Sequence, residues 1–143
     1  MYPGIHATTR ADQPAIIMAT SGTVVTYREY EALSNRLAHL LRAEGLQRGD
    51  HYAIFMENHP WYMPVCAAGE RSGLYFTPTN SHLTTDELGY IFENSQSQVV
   101  VTSAHLLDVA LFPNRDRTAE NVVAMLHRLW PDNWGPRMEG ALR

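Results

Sequence analysis

The stretch DHYAIFMENHPWYMPVCAAGERSGLYFTPTN, residues 50–80, determines the class of fold. It contains two short apolar runs, residues 51–56 and 74–77, separated by a segment of helical character. Pro60 suits the first position of a helix, because its missing N–H would have no partner there. Gly73 suits the left-handed position that ends a helix. Two strands joined by one helix form a βαβ unit, which predicts a parallel sheet covered by helices.

The two clearest helix starts lie on either side of this unit and share one pattern. Thr26 and Glu29 have the spacing of a capping box, in which each side chain bonds to the backbone amide of the other residue. Thr84 and Glu87 repeat that spacing. Apolar residues follow each box at helical intervals and predict one buried stripe per helix. The stripes are Tyr30, Leu33, Leu37, Leu40 and Leu41 in the first helix, which Gly45 ends, and Leu88, Ile91 and Phe92 in the second.

The remaining segments complete an α/β pattern. Residues 15–19 and 23–25 flank Ser21-Gly22 and predict a β-hairpin. The β-branched run at residues 99–102 suits a buried parallel strand, and a short helix is expected after it, through Leu111. Residues 1–12 have the composition of a loose arm. The predicted fold class is therefore α/β, with a partial three-layer domain, a mainly parallel sheet, flanking helices and an N-terminal hairpin.

A polar, proline-containing link begins at residue 112 and suggests a boundary. We predict one domain portion at residues 1–111 and a C-terminal helical tail of uncertain origin at residues 112–143. The tail contains an amphipathic segment, which Pro131 ends. Arginines within it make it locally basic, although a solvated helix face explains them better than a DNA contact. They include Arg115, Arg117, Arg128 and Arg137.

Composition excludes several classes of function. The chain has 143 residues, 45% of them hydrophobic and 18% charged, which is ordinary for a globular domain. A formal net charge of −4 argues against general nucleic-acid binding. No apolar run approaches the ~20 residues of a membrane span, and the N-terminus has no signal-peptide core. With one cysteine no internal disulfide can form, so the expected location is cytoplasmic.

No residue qualifies as catalytic, cofactor-binding or metal-binding on the pattern of the sequence. Cys66 lies in the middle of a predicted helix without a histidine at helical spacing, which favours a buried, inert thiol. Asp86 and Glu87 occupy a first helical turn, where capping and the helix dipole explain them. The histidines show none of the close pairs typical of metal sites. They are His6, His39, His51, His59, His82, His105 and His127.

Two local features need a separate interpretation. Residues 20–23, Thr-Ser-Gly-Thr, look like the start of a phosphate-binding loop, but such a loop needs further glycines and a lysine. Neither follows, so a hairpin turn is predicted.

Pro64 falls one turn after Pro60 and is expected to kink the helix there. The large apolar residues near it are expected to be partly exposed and to drive self-association. They are Trp61, Tyr62, Tyr75 and Phe76.

Several ordered blocks resemble the opening of the adenylate-forming enzymes, the AMP-dependent synthetases and ligases, and are most similar to bacterial long-chain fatty-acid–CoA ligases. The resemblance covers about the first three-quarters of the chain. The blocks are VTYREY at residues 25–30, SNRLA at 34–38, GLQRGD at 45–50, RSGLYFTPTN at 71–80, LTTDEL at 83–88 and VTS at 101–103.

The resemblance implies a two-step reaction for the whole enzyme. ATP, with Mg²⁺, activates a carboxylic acid to an acyl-adenylate, and the thiol of CoA then displaces AMP. The family's glycine-rich phosphate loop, its adenine-binding block and its lid lysine lie downstream of these blocks and are absent here. We therefore expect a truncated N-terminal fragment of an acyl-CoA synthetase that needs no cofactor and is not catalytic alone. The alternative is a small α/β interaction module that associates with itself or complements a synthetase remainder in trans.

Overall fold

The computed structural model describes residues 3–106 and residue 110. Helices and strands alternate along this part of the chain, which confirms the predicted α/β class. A 3-10 turn at Ala104–Leu106 follows the last strand. The elements in chain order are α1 Gly4–Thr9, β1 Pro14–Ile17, β2 Val24–Thr26, α2 Tyr27–Ala43, β3 His51–Phe55, α3 Tyr62–Ser72, β4 Tyr75–Thr79, α4 Thr85–Asn94 and β5 Val99–Thr102.

Residue contacts divide the chain into two compact units. The first comprises Met1–Asp50 and Asn58–Phe76, and it contains the hairpin with α1, α2 and α3. The second comprises His51–Glu57 and Thr77–Arg143, and it contains β3, α4 and β5. None of the described helices is both long and apolar enough to cross a membrane.

The structure contains a three-stranded sheet with the strand order β4-β3-β5. β3 and β5 run parallel, with Tyr52 opposite Val99 and Phe55 opposite Thr102. All four residues of β5 are buried, as are the last four of β3. Burial of apolar side chains on both faces is typical of parallel strands and stabilises them. The parallel sheet predicted from residues 50–80 and 99–102 is thus confirmed.

β1 and β2 form the predicted hairpin as a separate two-stranded sheet. The strands are antiparallel, with Ile16 opposite Val25 and Ile17 opposite Val24. Gly22 has a φ of +70° in the connecting loop, a conformation that glycine adopts without steric cost.

Both predicted capping boxes are present. The Thr26 side chain accepts a hydrogen bond from the Glu29 amide at 3.3 Å, and Glu29 accepts one from the Thr26 amide at 2.8 Å. Thr84 and Glu87 reproduce the pair at 3.5 and 2.9 Å. Bonds from the threonine amide, then from its hydroxyl, lower the pKa of each glutamate. The helix starts therefore follow from residues three positions apart.

The apolar stripe of α2 is confirmed, with its deepest residues at Leu37 and Leu41. Tyr30, Leu33 and Leu40 are half-buried. In α4 the most buried residues are Leu88 and Phe92. These two stripes provide the packing that short helices need, because helical propensity alone does not hold them.

The start of α3 differs from the prediction. The helix begins at Tyr62, and its N-cap residue is Trp61, which makes no side-chain capping bond. Pro64 is therefore the third residue of the helix, in the first turn, where an N–H would have no partner within the helix. The first-turn amide of Val65 bonds to the Trp61 carbonyl at 2.9 Å. The kink expected at Pro64 was a wrong prediction, because it assumed a helix that begins at Pro60.

The opposite end of α3 is as predicted. Gly73 ends the helix with φ 68° and ψ 31°, the left-handed conformation that disfavours residues with a Cβ. Its carbonyl accepts a bond from the Gly49 amide at 2.9 Å, which ties the end of the helix to the loop before β3.

A loose arm was expected at residues 1–12, but its described residues, 3–12, are ordered. Gly4–Thr9 forms α1, whose first amides from His6 and Ala7 both bond to the Pro3 carbonyl at 3.0 Å. The His6 ring lies 5.1 Å from the ring of Tyr27, centroid to centroid. The short helix expected after β5 begins as the 3-10 turn Ala104–Leu106. Residues 107–109 and 111 of that helix, and the predicted tail helix, lie outside the described residues.

Candidate functional site

The loop that looks like a phosphate-binding sequence is built as a hairpin turn. The amide of Gly22 bonds to the Met18 carbonyl at 2.8 Å, and the amide of Met18 bonds to the Thr23 carbonyl at 2.9 Å. The Thr23 amide bonds to the Ser21 hydroxyl at 3.2 Å. A phosphate site needs free, convergent amides. These amides are already used within the turn, so the loop does not fit the phosphates of a nucleotide.

Cys66 lies on α3 in a half-buried position close to tyrosines. Burial, followed by the charge of Glu70, raises the pKa of its thiol to about 11. Burial likewise raises the pKa of Tyr30 to about 12, and the Tyr30 hydroxyl donates to the Met63 carbonyl at 3.3 Å. A thiol that stays protonated at neutral pH is a poor nucleophile and a poor metal ligand. Within residues 3–106 and 110, no three histidine, cysteine or acidic side chains group closely enough to hold a metal.

A buried charged cluster joins α2 to α3 in the first unit. Arg71 forms an ion pair with Glu31 at 2.5 Å and donates to the Ser34 hydroxyl at 3.0 Å. The side chains of Arg71 and Glu31 are only 13% and 22% exposed, and Ser34 is fully buried. The second carboxylate oxygen of Glu31, Oε2, is buried and has no hydrogen-bond partner among the described residues. Burial of Arg71 or Glu31 without its partner would be costly, so the ion pair favours the one orientation of α2 and α3 in which the two side chains meet.

The sequence did not identify this cluster. Arg71 is forty positions from Glu31 along the chain, and no local spacing connects the two residues. The sequence shows that Arg71 lies near the end of a predicted helix, but this position does not identify a partner.

The second unit brings two polar residues together where the parallel strands end. Glu57 follows β3 and Ser103 follows β5, and the Ser103 hydroxyl donates to the Glu57 carboxylate. Ser103 is buried, whereas Glu57 is half-exposed. On the next strand, the Thr79 hydroxyl donates to the Ile54 carbonyl at 2.9 Å.

The strand order determines which strand ends lie side by side at this edge of the sheet. The chain leaves β3 to form β4 on one side and then crosses to form β5 on the other side. Open α/β sheets bind ligands in the crevice outside the carboxyl ends of their strands. Glu57 and Ser103 follow the carboxyl ends of the neighbouring strands β3 and β5 and present a carboxylate with a hydroxyl beside it. Such a pair can accept a hydrogen bond from a ligand, but it contains no activated nucleophile or phosphate-binding cation.

Comparison with known proteins identifies the class. The sequence matches the family described as AMP-binding enzyme over residues 5–139. The chain belongs to this family of AMP-binding enzymes, as its resemblance to adenylate-forming ligases predicted.

Individual relatives in this family include acyl-CoA ligases. The chain is 33% identical over 96 residues to a crotonobetaine/carnitine–CoA ligase of Citrobacter koseri, covering 65% of this chain and 19% of that protein. It is 34% identical over 102 residues to a feruloyl-CoA synthase of an Amycolatopsis species, covering 71% and 21%. The chain thus spans about a fifth of the length of these curated relatives.

Solved structures support the fold. A fatty acyl CoA synthetase of Mycobacterium tuberculosis superposes with a TM-score of 0.73 at 25% identity, over 90% of this chain and 27% of the other. The N-terminal domain of FACL13 from the same organism superposes with a TM-score of 0.76 at 24% identity, over 90% and 34%. The α/β arrangement described above is therefore that of the N-terminal subdomain of adenylate-forming enzymes.

Proposed function

We propose that this chain supplies the N-terminal scaffold of an adenylate-forming acid–thiol ligase and performs no adenylation by itself. The whole enzymes of this class use ATP, Mg²⁺ and CoA to convert a carboxylic acid to its CoA thioester. In this proposal the three-stranded sheet and its helices support that chemistry without contributing a group that touches the reacting atoms.

One observation carries the proposal. The family match extends over residues 5–139, yet the segment among the described residues that looks like a phosphate loop, residues 20–23, is built as a hairpin turn. Gly22 and its neighbours use their amides within the hairpin turn, and the 143 residues include no lysine at all. Transfer of an adenylyl group depends on charge stabilisation of the phosphates, for which backbone amides, lysine and Mg²⁺ are the usual means.

An ATP–pyrophosphate exchange assay on the purified 143-residue chain tests the proposal. Fatty acids of several lengths, carnitine and ferulate are suitable acids, because the relatives' names cover these classes. We expect no exchange above the background without acid. An active full-length fatty acyl-CoA synthetase in parallel reactions verifies the assay. Exchange by the 143-residue chain that saturates with one acid would overturn the non-catalytic part of the proposal.

A second candidate function is a small interaction module. Several large apolar side chains are exposed, which is typical of association surfaces when they lie close together. They are Ile5, Ile17, Val24, Met63, Tyr75 and Tyr90. Light scattering after size exclusion distinguishes the candidates, since a clean monomer at all concentrations counts against the module. The cytoplasmic location and the origin of residues 112–143 stay predictions.

A further inference from the structure

A shallow groove of about 260 Å³ lies between the hairpin and α2 in the first unit. Its floor is apolar, with Val25 buried and Val24 exposed at the edge. Charged side chains of opposite sign lie at its two ends along the helix. The lining residues are Val24, Val25, Glu29, Ala32, Leu33 and Arg36.

Four of these residues form one face of α2. Glu29, Ala32, Leu33 and Arg36 are spaced by three, one and three positions, so they lie along a single line of the helix surface. Leu33 also lies at the edge of the buried stripe that contains Leu37, whereas Glu29, Ala32 and Arg36 are exposed and lie outside that stripe.

The two charged residues at the ends of the groove differ in the hydrogen bonds that they make. Arg36 is exposed and makes no hydrogen bond or ion pair with any described residue. Glu29 is also exposed, and one oxygen of its carboxylate, Oε2, holds the capping box. The groove therefore has one unused positive charge and one negative charge at matched positions.

The order of the four residues is symmetric about a point between Ala32 and Leu33. When two copies of α2 lie antiparallel across a two-fold axis at that point, Arg36 of each copy faces the partner's Glu29. Ala32 then faces the partner's Leu33, so a small side chain meets a larger one. An isologous interface needs a patch that is complementary to itself, and this face has that property in both charge and size.

We propose that this face of α2, with the adjoining hairpin edge, is a self-association surface for a second copy of this chain. The charge pattern selects a second copy, because a face with both signs at matched distances complements itself better than a partner of one sign. Exposed Ile17 and Val24 extend the apolar part of the surface along the hairpin. The dimer is weak and depends on concentration, since exposed ion pairs add orientation more than affinity. The inference does not depend on the proposed scaffold function.

A charge-exchange experiment tests the surface on the full chain by sedimentation velocity over a concentration series. In Arg36→Glu the two copies place glutamates opposite each other, and in Glu29→Arg they place arginines opposite each other. We expect each variant alone to raise the dissociation constant of the dimer by about tenfold or more. An equimolar mixture of the two variants restores both ion pairs, so we expect it to dimerise as the wild type does.

Matched controls separate this surface from others. Arg42→Glu makes the same charge change at another exposed position of α2 and should leave the dissociation constant unchanged. Because Glu29→Arg also removes a capping box, circular dichroism must show that the variant is helical. Ala32→Arg places a bulky charge at the centre of the face and should abolish association without touching the box.

Three outcomes would overturn the inference. A wild-type chain that stays monomeric at every concentration has no such dimer, whether the groove is open or covered by another part of the same chain. A dimer unaffected by Arg36→Glu and Ala32→Arg uses another surface. A mixture of the charge variants that stays as monomeric as its components has no complementary pairing. The pyrophosphate exchange assay is unaffected in each case, so this inference and the scaffold proposal fail independently, whereas a wild-type monomer also counts against the interaction module.

Discussion

The two units of the chain achieve stability in different ways. In the second unit, β3 and β5 are paired strands whose side chains are almost all buried and apolar. In the first, α2 packs against α3, and a buried ion pair between Arg71 and Glu31 lies in that contact. Apolar burial is non-directional, whereas a buried ion pair requires one geometry. The strand pair therefore stabilises the fold through the apolar area that it buries. The helix pair fixes the orientation of α2 against α3, but loss of either partner of its ion pair would be costly.

The largest expected effect tests the buried strands of the second unit. Ile54→Ala removes a fully buried side chain from β3 and leaves a cavity beside Val101, its partner in β5. We expect a loss of about 4 kcal/mol in the free energy of unfolding, measured by urea denaturation. Ile17→Ala removes the same atoms from an exposed strand and should cost less than about 0.5 kcal/mol. Equal losses in the two variants would contradict the assignment of the core to β3 and β5.

The second-largest expected effect tests the buried ion pair of the first unit. Arg71→Ala leaves the mostly buried Glu31 carboxylate without its cation, and we expect a loss of roughly 3 kcal/mol. Hydrogen exchange should rise in α2 and α3 in particular. Arg28→Ala breaks the exposed ion pair with Asp12, whose atoms are 3.1 Å apart, and should cost under about 1 kcal/mol.

A further variant sharpens the role of the isolated carboxylate. Adding Glu31→Gln to Arg71→Ala removes the uncompensated charge, so part of the lost stability should return. If the double variant is less stable than Arg71→Ala, the cost arises from lost packing of the arginine stem and not from the charge.

A smaller effect concerns the end of α3. Gly73→Ala places a Cβ at φ +68°, 3.0 Å from Cγ of Arg48, and we expect a cost of about 2 kcal/mol in thermal and urea unfolding. Gly22→Ala has nearly the same φ, +70°, but its Cβ meets nothing within 4 Å. The difference between the two variants measures the contact with Arg48, and a Gly22→Ala variant as unstable as Gly73→Ala would show that the backbone conformation dominates.

The smallest expected loss of stability should be the same in the two units. Thr26→Ala and Thr84→Ala each remove one capping box, and each should cost about 1 kcal/mol at pH 7. Because the pKa values of Glu29 and Glu87 are lowered in the folded chain, the boxes stabilise above the unfolded pKa and lose their effect as pH falls. The difference from the wild type should therefore shrink below pH ~4 in urea titrations. A difference that is constant from pH 7 to pH 3 would contradict this linkage.

The features that the sequence predicted well are those encoded over a few residues. The capping boxes depend on positions three apart, and the left-handed end of α3 depends on Gly73 itself. The start of α3 was misplaced because Trp61, its N-cap, has no capping side chain to mark the boundary. Pro3, Gly4 and the polar residues of the N-terminal arm have the composition of a loop, whereas contacts with α2 hold the six residues of α1 in a helix.

The candidate site was predictable only in part. The parallel sheet followed from the βαβ pattern, but the order β4-β3-β5 is a property of the crossover, and it decides which strand ends meet. Glu57 and Ser103 are therefore invisible as a pair in the sequence, as are Arg71 and Glu31. In contrast, the failure of residues 20–23 as a phosphate loop was predictable, because the residues required for one are missing nearby.

The pairing of Tyr52 with Val99 has a consequence for the time course of folding. The two residues are roughly fifty positions apart, and contacts over such separations form slowly because a long loop must close first. During synthesis β3 leaves the ribosome well before β5 exists, whereas β4, its neighbour on the other edge, follows sooner. We expect the edge of β3 that pairs with β5 to stay unprotected until β5 emerges, so the growing chain passes through a period in which part of its future core is accessible to chaperones.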